Sequence, residues 1–196
     1  MQACRLIATD LACRRGDRVL FRGLSLALNA GEALQVTGAN GIGKSSLLRI
    51  LGGLLPAHAG KVECDGNIGL IDERPALDLH LPLGRALGFW ADFDRIGFLA
   101  RGSISDRLGL GSLIDVPVAY LSTGQKKRAA LARLIGQSAT VWLLDEPLNG
   151  LDRSAVALAE ELVAEHLTAG GICVIASHQP FKLAGMQQLA LEDHAR

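Results

Sequence analysis

Residues Gly38-Ala39-Asn40-Gly41-Ile42-Gly43-Lys44-Ser45 fit G-x-x-x-x-G-K-[ST], and no other stretch of the chain restricts its fold so tightly. The glycines let the backbone curl until successive N–H groups converge on one anion. That arrangement needs a strand to deliver the loop and a helix N-terminus to receive it. Both flanks meet the demand. Ala33 to Thr37 run into Gly38 as a strand, and Leu47, Leu48, Leu51, Leu54 and Leu55 recur at helical spacing before Gly52, Gly53 and Pro56 end the helix. The expected phosphate contacts are Gly38, Ala39, Asn40, Gly41, Ile42, Gly43, Lys44, Ser45 and Ser46. Lys44 supplies a point charge to β and γ phosphates, and the Ser45 hydroxyl can ligate Mg²⁺.

The rest of the chain arranges itself around that unit. Arg18 to Phe21, then Leu24, Leu26 and Leu28, alternate as strands do, and Lys61 to Glu63 and Asn67 to Ile71 read as short strands around a turn at Asp65 and Gly66. From Leu83 to Gln137 the pattern is mostly helical. Alternation of strand and helix then returns with Val141 to Leu144, Asp152 to Leu167 and Ile172 to Ala176. In the second of these Val156, Ala159, Leu162 and Val163 share a face. At 196 residues one domain is expected over 1–196. A β arm and an α/β core take about 1–74 and 138–196, and an inserted helical subdomain takes 75–137.

Three further stretches carry chemistry. Val141-Trp142-Leu143-Leu144-Asp145-Glu146 ends an apolar run in two carboxylates, which packing alone does not explain. Strand geometry points them to opposite sides, so Asp145 is the candidate for Mg²⁺ and Glu146 the candidate base for an attacking water. Leu121-Ser122-Thr123-Gly124-Gln125 places Ser122 at a helix N-cap and Gln125 at the third helical position, a capping box that leaves N–H donors exposed. His178 follows a buried strand and so sits at the carboxyl edge of the sheet, where such folds bind ligands; a γ-phosphate contact is expected of it. Asn149-Gly150-Leu151-Asp152 is a turn in which Asp152 caps the next helix.

Composition removes other classes. With 20 basic against 20 acidic residues, no global field draws the chain to nucleic acid or anionic lipid. Charged or polar residues interrupt every apolar run before the roughly 18 residues a membrane span needs. The start, MQACRLIATD, lacks the features of a secretory signal, and a cytosolic location is expected. Cys4, Cys13, Cys64 and Cys173 are too widely spaced for a zinc pair and read as reduced thiols.

Taken together, the phosphate loop, LSTGQ, LLDEP (Leu143 to Pro147), the Leu151-Asp152 turn and His178 resemble, in kind and in order, the motifs of the ATP-binding cassette (ABC) ATPases. Within that class, CRRGDRVLFRGLSLAL, RPALDLHLPLGRAL, LSTGQKKRAALARL and SHQP are similar to the ATP-binding subunit of the haem exporter of cytochrome c maturation. The resemblance implies a RecA-like P-loop core, an antiparallel β arm and a helical signature subdomain. It implies a head-to-tail pair, as a homodimer or with a paired ABC ATPase subunit, with two ATP molecules between the copies. Ser122, Gly124, Gln125 and Asp152 would then serve nucleotide across that interface, with Glu146, His178 and Lys44 as the catalytic set. It further implies docking to integral membrane subunits of a haem-handling export complex, peripherally on the cytoplasmic face of a bacterial inner membrane. ATP turnover there is coupled to haem export or to release of a haem-loaded chaperone. The alternatives are another small exporter's ATPase, or an ATP-gated remodelling module that moves no substrate.

Two departures from the family pattern bear on mechanism. Arg14 and Arg15 stand where an aromatic residue usually stacks on adenine, and Arg74 aligns with the glutamine that usually reaches Mg²⁺. A guanidinium can stack on a base but has no acceptor for a cation, which leaves either Glu73 as a substitute ligand or a different coupling between metal and membrane partner.

Overall fold

The computed structural model describes residues 4–72, 76–94 and 98–195. Two sheets form. The antiparallel one has strand order β2-β1-β4, built from β1 (Arg5–Arg15), β2 (Arg18–Asn29) and β4 (Ala59–Asp65). The other is parallel throughout, in the order β5 (Ile68–Ile71), β6 (Val141–Asp145), β7 (Ile172–Ala176), β3 (Ala33–Thr37), β8 (Gln187–Ala190).

Every residue of β6 and β7 is buried, because layers cover both faces of the parallel sheet. The two-residue period of a strand divides the core. Leu34, Val36, Val141, Leu143, Ile172 and Val174 pack with the antiparallel sheet and with α1 (Lys44–Leu51). Trp142, Leu144, Cys173 and Ile175 join α4 (Thr123–Gly136) and α5 (Arg153–Thr168) on the other side. Leu47, Leu48 and Leu51 of α1 are almost fully buried, each worth about 1.5–3 kcal/mol. Gly52 caps α1, so Leu54 falls beyond the helix and is 68% exposed. In α5, Ala159, Leu162 and Val163 are buried as their shared face requires.

The chain between β5 and β6 carries α2 (Leu83–Phe93), α3 (Phe98–Arg107) and α4. Trp90 of α2 donates from Nε1 to the Ala76 carbonyl at 2.6 Å, while the Arg133 guanidinium of α4 lies 3.8 Å above its ring. Arg107 ties α3 to α5 through Glu165 at 2.6 and 2.7 Å and Glu161 at 3.0 Å. No helix among the described residues is long and apolar enough to cross a membrane.

The strand pairing departs from expectation after β4. The turn at Asp65 and Gly66 does separate β4 from β5, but the two do not pair with each other: β4 adds to β1, and β5 to β6. The Asn67 carbonyl accepts from the N–H groups of both Thr140 and Val141 at 3.0 Å, which commits the chain to β6 directly after the turn. Strands β1 and β8 are further additions to the elements read from sequence.

Candidate active site

The phosphate loop lies where β3 gives way to α1. Gly38, Gly41 and Gly43 all have positive φ, at 142°, 79° and 122°. At Gly43 the space is tight as well, since a Cβ would meet Leu20 and Phe21 at 3.3 Å, and that crowding adds to the strain a side chain brings at this positive φ. Lys44 is 6% exposed, and its Nζ donates to the carbonyls of Gly38 at 2.6 Å and Ala39 at 3.3 Å.

The neighbouring parallel strands bring the acids to this loop. Asp145 ends β6 and is 6% exposed, and burial pushes its carboxyl above the ordinary carboxylate range. A hydrogen bond from the Ser45 hydroxyl opposes that rise, Asp72 and Glu146 add to it, and Lys127 offsets part of it. Ser45 and Asp145 line the same cavity, two oxygen-bearing side chains of the kind that suits a hard cation such as Mg²⁺. A buried carboxylate destabilised by desolvation is also a group that a cation would relieve.

Glu146 points elsewhere, but for a different reason from simple strand alternation. β6 stops at Asp145, and Glu146 adopts φ 45°, a left-handed conformation costing a non-glycine residue about 1 kcal/mol. Its N–H donates to the Ala176 carbonyl at 2.8 Å. Both carboxylate oxygens lie 3.0 Å from Nδ1 of His178, which follows β7. An ionised carboxylate only accepts, so Nδ1 carries the proton.

A cavity of about 520 Å³ joins these groups, lined by Asn40, Gly41, Gly43, Lys44, Ser45, Ser46, Asp145 and Glu146. Leu20, Thr123, Lys127 and Asn149 complete the wall. In the sequence Lys127 reads only as part of the basic run Lys126-Lys127-Arg128, and Asn149 only as the start of a turn. Lys127 is buried on α4 and donates to the Asp145 carbonyl at 3.2 Å, while Asn149 accepts from Gln179 at 3.3 Å. A basic run after a capping box reads as solvated surface that raises the local potential for anions, which does not distinguish Lys127 from its neighbours; for Asn149 the only signal is proximity to the acids.

Ser122, Gly124, Gln125 and Asp152 do not line this cavity, and their local roles are structural. The capping box closes with Gln125 N–H to Ser122 Oγ at 3.2 Å and Ser122 N–H to Gln125 Oε1 at 2.8 Å. Asp152 caps α5 by accepting from Ala155 N–H at 2.8 Å, and that bond, with one from Ser154, holds its carboxyl below the ordinary range. Arg14 is engaged in its own hairpin, donating to the Gly16 carbonyl at 2.8 Å and to Asp17 at 3.0 Å, while Arg15 is exposed. Glu73 and Arg74 lie outside the described residues.

Residues 21–149 match the ABC transporter family model. The chain is 57% identical over 193 residues to the cytochrome c biogenesis ATP-binding export protein CcmA of Novosphingobium aromaticivorans, covering 98% of each. It is 50% identical to the protein of that name from Sphingopyxis alaskensis, covering 95% and 96%. Among solved structures, a Pyrococcus furiosus chain described as an ABC transporter ATP-binding protein superposes with TM-score 0.84 at 20% identity, covering 98% of this chain and 100% of that one. The cbiO1 protein of Clostridium perfringens, part of the ABC transporter complex cbiONQ, superposes with TM-score 0.71 at 26% identity, covering 89% and 78%.

Proposed function

The chain belongs to the ABC transporter family, in the group of cytochrome c biogenesis ATP-binding export proteins, and from that premise we propose that its cavity binds and hydrolyses ATP for a haem-handling membrane complex. One observation carries the reading: Lys44 and Ser45 of the loop, Asp145 and Glu146 line one cavity, and His178, beyond its wall, lies 3.0 Å from the Glu146 carboxylate. The loop N–H groups and the α1 N-terminus receive the phosphates, and Lys44 exchanges its carbonyl partners for β and γ oxygens. Glu146 accepts the proton of an attacking water, and His178, bonded to it through Nδ1, orients the carboxylate and contacts the γ-phosphate. Ser45 and Asp145 would hold Mg²⁺, which when bound neutralises charge on the β and γ phosphates.

In this proposal Ser122, Gly124, Gln125 and Asp152 meet the nucleotide of a second copy. The helical segment 75–137 is then a subdomain presenting them. Membrane subunits recruit the chain to the cytoplasmic face of the inner membrane, and turnover drives haem export or release of a haem-loaded chaperone. A net charge of zero supports a partner found through local surfaces rather than nucleic acid.

The experiment is purification of the tagged chain from solubilised membranes, with Mg²⁺-dependent ATP hydrolysis assayed on the isolate. Haem-handling membrane proteins in the isolate support the assignment. Recovery of ribosomes, or of an unrelated exporter, overturns it.

A further inference from the structure

The peptide unit between Gly38 and Ala39 is held from both sides. Its carbonyl accepts a 2.6 Å hydrogen bond from Lys44 Nζ, and its N–H donates a 2.9 Å bond to Glu192 Oε1. An ammonium at one end and a carboxylate at the other polarise the amide in the same sense, so each bond strengthens the other. The fold presents Glu192 at this place. β8 runs parallel to β3 with Ala190 opposite Thr37, and the chain leaving one strand passes the loop leaving the other. Leu191, fully buried, anchors the turn, and Ala195 N–H closes it on the Glu192 carbonyl at 3.1 Å. Both Glu192 carboxylate oxygens lie 3.1 Å from the position a Cβ on Gly38 would take, so the carboxylate fills the space that the loop's first glycine leaves.

We propose that Glu192 is a positioning residue for the nucleotide site. It fixes the plane of the Gly38–Ala39 peptide, which keeps the Gly38 carbonyl aimed at Lys44 and the loop in the conformation that cradles phosphate. The inference rests on the ATP-binding reading above. Without Glu192 the peptide loses its outer acceptor and can rotate, and an incoming nucleotide must supply the order that the loop no longer has. Ala39 is exposed, so water replaces part of the lost bond, and the expected weakening of nucleotide affinity is about two- to tenfold.

The test is titration of wild type, Glu192→Ala and Glu192→Gln with methylanthraniloyl-labelled ATP and Mg²⁺, alongside melting of the nucleotide-free proteins and steady-state hydrolysis. Expected for Glu192→Ala are a raised Kd and KM, a much smaller change in kcat, and an unmoved nucleotide-free melting temperature. Glu192→Gln keeps an acceptor oxygen and should fall between the other two. Wild-type affinity in Glu192→Ala overturns the inference, as does a lowered melting temperature with unchanged Kd, or equal losses in both variants. Failure of the wild type itself to bind the probe overturns the ATP-binding reading, and this inference with it.

Discussion

Gly124, the fourth residue of LSTGQ, packs against the backbone of Gly150: a Cβ on Gly124 would stand 2.6 Å from the Gly150 carbonyl oxygen. The approach is close from the other side too, since a Cβ on Gly150 would meet the Thr123 side chain at 3.0 to 3.2 Å and the Gly124 nitrogen at 3.7 Å. Gly124→Ala therefore forces α4 away from the turn before α5. Its expected cost is about 1–3 kcal/mol, the range of overpacked cores. Urea unfolding of the nucleotide-free protein measures it. An unchanged stability would leave Gly124 with a purely nucleotide-facing role.

Glu146→Gln keeps the shape of the side chain but cannot take up a proton. Steady ATP hydrolysis should fall about 10²-fold or more while ATP binding persists. With hydrolysis blocked, the variant should also elute as a dimer in the presence of ATP. Full activity would remove Glu146 from the proton-accepting role, and a strictly monomeric profile would count against the shared site.

Asp145 titrates against the fold's interest. Its carboxyl is raised by burial, so between the unfolded value near pH 3.9 and its higher folded value the native state binds more protons, and stability falls as pH rises through that window. At neutral pH the ionised side chain is carried at a cost. Asp145→Asn should thus melt higher than wild type at neutral pH without nucleotide, with the difference shrinking toward acid. The same variant should lose the stabilisation that Mg²⁺ with nucleotide confers on wild type. A lower melting point for the nucleotide-free variant would contradict the burial argument.

His166 gives the opposite slope. Its ring stacks on Trp142 at 3.9 Å, and Nε2 lies 3.2 Å from the Ile172 carbonyl. Burial pushes its pKa below the ordinary value, against bonds to the Ile172 and Thr140 carbonyls. The unfolded chain takes up this proton near pH 6.5 and the folded chain only at lower pH, so stability rises with pH across that window and is lost on acidification. His166→Phe preserves the stack and removes the titration. Its melting temperature should vary less with pH between about 7.5 and 5.5 than that of wild type.

Legibility in the sequence tracked the range of the interactions. The phosphate loop, the capping box at Ser122 and Gln125, and the cap at Asp152 close through hydrogen bonds within a few residues, so residue type and spacing carry them. Strand β1 is hard to read because Asp10 takes a positive φ of 50° and the pairing shifts register after Ala8 and after Leu11, which breaks the two-residue alternation. β8, with the sequence Gln-Gln-Leu-Ala, is short, polar and at the sheet edge. Pairing of β5 with β6 rather than β4 spans the whole helical insertion, and nothing within the turn at Gly66 announces it.

By itself the sequence determined the chemistry of each segment: a glycine loop that can bind phosphate, two acids at a strand exit, a histidine after another strand and a capped basic helix. Tertiary structure decided which of these groups meet. It parted Asp145 from Glu146 by a left-handed turn of the backbone, set His178 on Glu146, buried Lys127 beneath the Asp145 carbonyl and laid Glu192 against the first peptide of the loop. The reason is that the order β5-β6-β7-β3-β8 is selected by burial of both faces of one sheet, a property of the whole core, whereas a loop or a cap is selected by the few residues that form it.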